Sequence, residues 1–218
     1  MNNCIKPRWA DATNELISKL ENQNVNFNSL NTLEMFGRGG DWHTTIFQKK
    51  VKTLEVWEID PKWKNELKKN LPNATIKIRD TIKTIKNEKN FMKYDLILID
   101  NPMNTYGPKL NDSDPGMYCE HFDVINHIDN IIDKQAIVVF NVNRKPFDYD
   151  KFPVWKKRRE KFYGNTNTSD MKIDFLLKFY KKFFQELGFD TIFHENVVRV
   201  INLGIDITHY FTYKIKRN

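Results

Sequence analysis

Short apolar segments alternate with helix-patterned segments along much of the chain, and this alternation limits the possible folds more than any other feature. Five of the apolar segments have the length and the β-branched or aromatic content of buried strands. They are Thr32–Gly37, Thr53–Asp60, Ala74–Asp80, Tyr94–Asp100 and Gln135–Val142. Helical spacing of apolar residues lies between them, at Trp42–Lys50, Lys62–Asn70 and Cys119–Asp133. The pattern predicts an α/β fold, with a parallel sheet covered by helices on both faces.

The last third of the chain is predicted to finish this sheet with an antiparallel hairpin. A helix is expected over Asp170–Leu187, with Asp170 as its N-cap and Gly188 just beyond its end. Two strand-like segments follow at Phe189–Ile201 and Asp206–Lys216, and a short link containing glycine joins them. A parallel sheet that ends in one hairpin is an uncommon plan, so it narrows the choice of fold.

The 218 residues of the chain suit one α/β domain, so we predict a single domain over 1–218. Residues 1–31 form its N-terminal helical segment, with a helix at Asp11–Asn22. A hydrophobic content of 40% is enough for a core and excludes a wholly disordered chain. We expect neither a membrane span nor a signal peptide, because no apolar run reaches the ~20 residues of a span and the N-terminus lacks an apolar stretch. Cys4 and Cys119 offer no disulfide framework and no metal-binding spacing, so a cytoplasmic protein without a metal is expected.

The chain carries 35 basic and 28 acidic residues, which leaves a formal charge of +7. A positive balance is typical of proteins that bind nucleic acid. Lysine greatly outnumbers arginine and asparagine is abundant, however, as in proteins encoded by genes rich in A and T. The charge alone leaves both interpretations open.

Ligands of such sheets bind where the parallel strands end, so the residues that end each predicted strand are candidate site residues. The first strand leads into Gly37, Gly39 and Gly40, which permit a close approach between backbone and ligand. A plain turn between strand and helix is the alternative.

The second strand ends at Glu58 and Asp60, about 20 residues beyond the glycines, where a carboxylate can bind a ribose diol. Asp60 precedes a proline and is also a suitable helix N-cap. The third strand ends at Asp80 and Thr81, where a polar side chain could meet an adenine amino group or could cap a helix.

The fourth strand ends in Asp100, Asn101 and Pro102, followed by Tyr106. Asp100 could accept a hydrogen bond from an acceptor amine or hydroxyl and so raise its nucleophilicity. Asn101 and a backbone carbonyl held by Pro102 could orient that acceptor. A simple turn is the alternative.

The order of these features resembles that of class I S-adenosylmethionine-dependent methyltransferases, over about Thr32 to Lys216. The stretch EMFGRGG is similar to the D-x-F-x-G-x-G form of the family's cofactor loop, matching at Glu34, Phe36 and Gly40, with Arg38 in place of a glycine. VWEIDP resembles the family's second motif, which makes Glu58 the ribose ligand, with Ile59 beside it in the cofactor site.

The fourth-strand loop DNPM resembles the [D/N/S]-P-P-[Y/F/W] motif of amino-methyltransferases, but Asn101 and Met103 depart from it. In that family an aromatic residue at the Met103 position stacks on the target base, and Tyr106 could take its place. The resemblance implies S-adenosylmethionine as cofactor. It also implies a Rossmann-like, mostly parallel sheet of seven strands in the order 3-2-1-4-5-7-6, with a C-terminal hairpin.

The same loops are weakly similar to those of spermidine synthases, so an aminopropyltransferase-like enzyme is a further alternative. Metal-dependent O-methyltransferases place acids after the fourth and fifth strands, whereas Asn141 and Asn143 follow the fifth strand here. No metal is therefore expected.

The segment 144–169 is too long for a simple loop and is predicted to be an insertion on the acceptor side. Its aromatic and basic side chains suit stacking on bases and contact with phosphates. The candidate substrate-binding residues are Trp155, Lys156, Lys157, Arg158, Arg159 and Tyr163. The alternative is a helix over Val154–Phe162 with a solvated basic face. His121 is a further candidate, as a base on the acceptor side.

These observations predict a methyltransferase whose acceptor is a nucleic-acid base, RNA before DNA. The alternatives are O- or N-methylation of a small anionic metabolite or sugar, and a non-catalytic nucleic-acid-binding protein of the same fold.

Overall fold

A computed structural model of the chain describes residues 6–87, 92–100, 104–106, 117–146, 149, 153–164 and 167–218, with only the backbone described at 6–7, 104–106 and 117–119. Ten strands are present in these ranges: β1 Lys6–Pro7, β2 Asn31–Glu34, β3 Thr53–Glu58, β4 Thr75–Ile78, β5 Leu96–Ile99, β6 Asn104–Tyr106, β7 Met117–Cys119, β8 Gln135–Asn143, β9 Phe189–Asn202 and β10 Ile205–Arg217. The helices are α1 Trp9–Asn22, α2 Thr44–Phe47, α3 Lys64–Asn70, α4 Thr81–Asn87, α5 Phe122–Ile125, α6 Pro153–Tyr163 and α7 Ile173–Glu186.

Eight strands form one sheet in the order β1-β9-β10-β8-β5-β2-β3-β4. Strands β8, β5, β2, β3 and β4 are mutually parallel, whereas β10 runs antiparallel to both β8 and β9. Without the two-residue β1, the strands taken in chain order follow the predicted 3-2-1-4-5-7-6 arrangement, which confirms the Rossmann-like sheet with a C-terminal hairpin. The small pair β6–β7 and the strand β1 were not predicted.

The sheet is buried on both faces, as the apolar content of its central strands requires. Along β5, Ile97 and Ile99 pack on the face covered by α7, whereas Leu96 and Leu98 pack on the face covered by α1. Because successive strand residues point to opposite faces, a four-residue apolar strand can serve both layers. Within the described ranges, no helix is long and apolar enough to cross a membrane.

The hairpin turn forms at Leu203 and Gly204, with φ values of 51° and 75°. Two successive left-handed residues match the twist of a two-residue hairpin, so β9 and β10 can pair along most of their length.

Two local predictions are wrong. Asp170 does not cap α7, which begins after Lys172; it pairs instead with Arg144 at 2.7 Å and with Lys145 at 3.2 Å. The helix expected over Cys119–Asp133 is divided into the short α5 and a 3-10 turn at Ile128–Ile131. The segment is largely buried, so its packing against the sheet outweighs its helical periodicity.

Candidate active site

Three carboxylates lie at the same edge of the sheet because each follows or ends a parallel strand. Glu34 ends β2, Glu58 ends β3 and Asp100 follows β5. All three are at least nine-tenths buried. Buried carboxylates require hydrogen-bond donors, and the donors that each has acquired reveal how this edge is built.

Glu58 is enclosed by backbone amides of the glycine loop and of the chain that follows β3. Its Oε2 accepts a hydrogen bond from the Arg38 N–H at 2.6 Å, and its Oε1 accepts one from the Asp60 N–H at 2.8 Å. Arg38 adopts a left-handed conformation, with φ of 44°, to direct its N–H at this carboxylate. The second-strand acid and the glycine loop therefore form one unit, although the sequence separates them by 20 residues.

The glycines of this loop are needed for close packing. A Cβ atom on Gly37 would lie 2.3 Å from Val56 Cγ1, and one on Gly40 would lie 2.6 Å from Leu71 Cδ1. The loop is thereby seated directly on β3 and α3. This arrangement holds the Arg38 N–H against Glu58.

Aromatic side chains flank the same loop. The Arg38 guanidinium lies 5.7 Å from the ring centroid of Trp42 and 5.5 Å from that of Trp63, which are cation–π distances. Ile59, beside Glu58, is 45% exposed, which is unusual for a large apolar residue at the tip of a buried strand. The edge therefore offers an apolar surface next to a carboxylate.

The other predicted cofactor residues at this edge make local structural bonds. Asp80 Oδ1 accepts from the Lys83 N–H at 3.1 Å, and Thr81 Oγ1 donates to the Met35 carbonyl at 2.6 Å. Asp60 Oδ1 accepts from the Lys62 N–H at 3.0 Å, and its bonds to Lys62 lower the pKa of Asp60. The capping alternative thus describes Asp60 and Asp80, while Thr81 fastens α4 to the end of β2. Phe36 packs against the core.

His43 links the other two carboxylates. Its Nε2 lies 2.6 Å from Glu34 Oε2, and its Nδ1 lies 2.9 Å from Asp100 Oδ2. Thr44 Oγ1 donates a further hydrogen bond to Glu34 at 3.1 Å. One imidazole ring thereby bridges the strands β2 and β5 above their last residues.

The hairpin contributes two more groups to Asp100. The Arg199 guanidinium of β9 donates to Asp100 Oδ1 at 2.6 Å, and the Tyr210 hydroxyl of β10 donates to Oδ2 at 3.2 Å. Arg199 also lies 5.3 Å from the ring centroid of Trp42. We call Glu34, His43, Asp100, Arg199 and Tyr210 the edge network.

Burial and neighbouring charges act in opposite directions on the pKa values of the edge network. Burial opposes a charge on His43, but Glu34 and Asp100 outweigh it and raise the pKa of His43 to about 9. Burial acts to raise the pKa of Asp100, yet Arg199 and His43 hold it below its usual value. Burial raises the pKa of Glu34, and His43 offsets this only in part. At neutral pH His43 and Arg199 are cations that face two buried acids.

The remaining residues predicted for the transfer site fall in a part of the chain that the structure covers incompletely. Asn101 and Pro102 lie outside the described residues, as does Met103. Tyr106 is described as backbone only, in β6, where it pairs with Met117 of β7. Their predicted roles stay predictions.

The basic segment forms the helix α6, whose residues divide between two faces. Trp155, Arg159 and Tyr163 are at most 4% exposed and pack inward. Arg159 donates to both oxygens of Glu120, at 2.7 and 2.9 Å, and Trp155 Nε1 donates to Glu120 Oε1 at 2.5 Å. Their burial corrects the predicted substrate contacts of these three residues. Their apolar parts pack in the core, and Glu120 accepts hydrogen bonds from Trp155 and Arg159.

His121 is corrected in the same way. It is fully buried, and its Nε2 lies 2.5 Å from the Tyr180 hydroxyl, which is also bonded to the Tyr163 hydroxyl at 2.7 Å. Burial, reinforced by Arg159, lowers the pKa of His121 to about 3, so the ring is neutral. It is a core residue and not a base open to an acceptor.

The outer face of α6 keeps the cationic residues. Lys156, Lys157 and Lys161 are exposed, whereas Arg158 is half-buried and pairs with Asp123. Between α5, α6 and α7 lies a groove of about 690 Å³, with Phe122, Phe162, Phe179 and Phe183 among its lining residues and Arg158, Lys161 and Lys182 beside them. The structure therefore contains the alternative stated for this segment, a helix with a solvated basic face.

His43, Arg199 and Tyr210 are the site residues that sequence reasoning missed. Arg199 was detectable in principle, because it interrupts the apolar run Val197–Ile201 in a predicted strand. His43 carried no comparable signal, since it follows a turn and precedes a helix of only four residues. Across the described ranges, no group of three or more His, Cys, Asp or Glu side chains is arranged to hold a metal ion.

Comparisons with known proteins identify the fold. No family model matches the sequence, and no curated protein matches it. Solved structures do match: TYW2 from M. jannaschii in complex with AdoMet is 12% identical, with a TM-score of 0.54 over 98% of this chain and 80% of that chain. The magnesium protoporphyrin IX methyltransferase ChlM from Synechocystis PCC 6803 with bound SAH is 13% identical, with a TM-score of 0.53 over 95% of this chain and 83% of that chain.

A candidate RNA methyltransferase from Pyrococcus horikoshii is similar to the same degree, with 13% identity and a TM-score of 0.55 over 97% of this chain and 87% of that chain. At such identities the likeness concerns the fold. The chain has the class I methyltransferase fold, and its three edge carboxylates occupy the strand ends where ligands bind in open α/β sheets.

Proposed function

We propose that this protein is an S-adenosylmethionine-dependent methyltransferase that acts on a base in nucleic acid, RNA before DNA. The observation that carries the proposal is the position of Glu58. It is a buried carboxylate at the tip of the second strand, joined to the glycine loop through the Arg38 N–H. A carboxylate at this position of the fold can bind a ribose diol.

The residues at this edge fit the proposed cofactor. Glu58 can accept from the two ribose hydroxyls, because each carboxylate oxygen has a second lone pair beyond its bond to a backbone amide. Exposed Ile59 offers an apolar surface for an adenine ring. When bound, the cofactor supplies a methyl group activated on a sulfonium.

In methyl transfer, the main role of this chain's own residues is to position the acceptor. Asp100 Oδ1 accepts from Arg199 and has a lone pair left for an acceptor amine or hydroxyl. Asn101 and a backbone carbonyl held by Pro102 are proposed to orient that group. Holding the acceptor in line and excluding water lowers the entropic part of the barrier.

The basic face of α6 and the adjoining groove support nucleic acid as the acceptor. Exposed lysines suit phosphates, and the half-buried phenylalanines in the groove suit stacking on unpaired bases. TYW2 and the Pyrococcus protein share the fold, and the latter is described as a candidate RNA methyltransferase. A small anionic acceptor is the second candidate, because ChlM, a porphyrin methyltransferase, shares the fold equally well.

Cofactor binding is tested by calorimetry with S-adenosylmethionine. We expect Glu58→Ala to weaken binding roughly 10- to 150-fold, since losing a charge-assisted hydrogen bond costs about 1.5–3 kcal/mol. Glu58→Gln keeps the shape of the side chain, so it distinguishes the effect of losing the charge from the effect of displacing the loop. Glu186→Ala, on the exposed end of α7, is the matched control. Unchanged affinity in both Glu58 variants would refute the ribose assignment.

The acceptor is tested by transfer of a tritiated methyl group into fractionated extract of cells that encode the chain. Label that becomes soluble on ribonuclease treatment supports RNA, and label sensitive to deoxyribonuclease supports DNA. Label confined to the small-molecule fraction would overturn the nucleic-acid proposal in favour of the second candidate.

A further inference from the structure

The edge network contains the cation His43, which belongs neither to the glycine loop nor to the loop that follows the fourth predicted strand. It contacts one carboxylate at the end of β2 and another at the end of β5. Those two strands are neighbours in the sheet and lead into different loops. The ring is therefore a direct physical connection between the two halves of the proposed site.

We propose that His43 is a positioning residue whose imidazolium holds Glu34 and Asp100 together and so couples cofactor binding to the alignment of the acceptor. This inference rests on the proposed function. The ring is 6% exposed and both of its nitrogens lie against carboxylates, so it acts through the two carboxylates and not on a substrate.

The geometry favours a charged bridge over a neutral one. Each ring nitrogen lies close to a carboxylate oxygen, at 2.6 and 2.9 Å, so a protonated ring has an opposite charge within ion-pair distance on both sides. Glu34 Oε2 also accepts from Thr44, and Asp100 Oδ2 also accepts from Tyr210.

Arg199 completes the arrangement from the other side. It fixes Asp100 Oδ1 while His43 fixes Oδ2, so the carboxylate cannot rotate. The aromatic neighbours of His43 are Phe47 and Tyr210, whose ring centroids lie at 6.3 and 6.2 Å. Loss of the proton from His43 would leave two buried carboxylates with Arg199 as the single cation of the edge network.

The charged and titratable groups that face His43 come from each element around it: Glu34 from β2, Asp100 after β5, Tyr210 from β10 and, through Asp100, Arg199 from β9. Among these groups His43 is expected to titrate first as the pH rises above neutrality, since burial beside Asp100 raises the pKa of Tyr210 far above its ordinary value.

The first experiment measures the bridge without the cofactor. In an NMR titration of the full chain, the His43 ring signals of the wild type should titrate near pH 9, and Asp100→Asn should lower that midpoint by more than one pH unit. A wild-type midpoint at or below 6.5 would overturn the proposal, whether or not the protein binds S-adenosylmethionine.

The second experiment measures S-adenosylmethionine affinity and single-turnover methyl transfer between pH 7 and 10. In the wild type, both should fall together through a transition near pH 9. His43→Gln should bind at least tenfold more weakly at pH 7.5 and should lack the transition. Arg199→Lys should keep the transition, and His194→Gln should behave as the wild type.

The outcomes separate this inference from the proposed function. If His43→Gln binds S-adenosylmethionine and transfers the methyl group as the wild type does, the inference is overturned and the proposed function still stands. A wild type that binds no S-adenosylmethionine at any pH would overturn both, even where the NMR titration detects the bridge.

Discussion

Two groups of buried charged residues in this protein contain similar side chains but have different structural roles, so we compare them. The edge network joins β2, β5 and the hairpin around Asp100. The second group joins Glu120 to Arg159 of α6, and Arg159 also donates to the Asn143 carbonyl at the end of β8. The first contains a titratable cation and lies where the proposed site is. The second has an arginine as its cation among the described residues and fastens α6 to the end of β8.

The comparison shows that a buried ion pair does not by itself mark an active site. Both groups are almost fully enclosed, and both satisfy their carboxylates with several donors. The two groups differ in what they connect. The edge network joins the ends of two parallel strands to the hairpin, whereas Arg159 joins α6 to Glu120, to Met171 and to the end of β8. The predictions below test this distinction.

The largest effect is expected from Arg159→Ala. It leaves the Glu120 carboxylate buried without its cation, and breaking such a pair costs about 3–5 kcal/mol. The free energy of unfolding from urea denaturation at pH 7 measures the loss. Arg158→Ala, one residue earlier in a half-exposed pair with Asp123, should cost at most about 1 kcal/mol. Equal losses in the two variants would contradict the structural role given to Arg159.

The next effect is a pH-dependent one that only the edge network should have. The folded-state pKa of His43, about 9, exceeds the ordinary 6.5, so its contribution to stability is full below pH 6.5 and is lost as the pH rises through 9. A shift of this size corresponds to about 3 kcal/mol. The difference in unfolding free energy between wild type and His43→Gln should therefore shrink from pH 6 to pH 9.5. The difference between wild type and Arg159→Ala should stay constant over the same range.

A smaller effect is expected for Tyr210→Phe, which removes one hydrogen bond to Asp100 and should cost about 1 kcal/mol. Tyr163→Phe is its counterpart near the second group. It should cost less, because the Tyr180 hydroxyl keeps its bond to His121. Thermal denaturation of both variants gives the comparison, and a reversed order would mean that the Tyr210 hydroxyl contributes little to holding Asp100.

The smallest effect on stability is expected for the double variant Lys156→Ala/Lys157→Ala, which should change the unfolding free energy by no more than about 0.5 kcal/mol. Its effect should appear in binding to single-stranded RNA. Losing two phosphate contacts should reduce the magnitude of the log K against log salt slope by about 1.4. An unchanged slope would remove α6 from the proposed nucleic-acid surface.

The fold could be predicted from the sequence because its determinants are local. Five short apolar runs, their spacing and a glycine-containing turn were enough for the order of the elements and the terminal hairpin. Glu58 was also accessible to this reasoning, because it stands at the end of a strand pattern. Its bond to the Arg38 N–H was not, since that depends on a left-handed residue in the loop.

The parts that could not be predicted depend on contacts between distant segments. Arg159 ends a run of four basic residues that is typical of a solvated face, and the position of Glu120 explains why it is buried. Arg199 and Asp100 are 99 residues apart and meet because β9 and β5 belong to one sheet. Sequence patterns indicate which face of an element is apolar, but they do not indicate which charged residue of a distant segment contacts that element.

The close packing of Gly37 has a consequence for how such a chain can evolve. Since a Cβ at this position would lie 2.3 Å from Val56 Cγ1, a mutation at either codon restricts what the other codon can encode. Alanine at position 37 would be better tolerated in a lineage that had first acquired a smaller residue at position 56, because the next nearest atom, Leu67 Cδ2, lies at 3.2 Å. The two positions should therefore covary among descendants of this gene, and such a pair would be inherited together with the loop that holds Glu58.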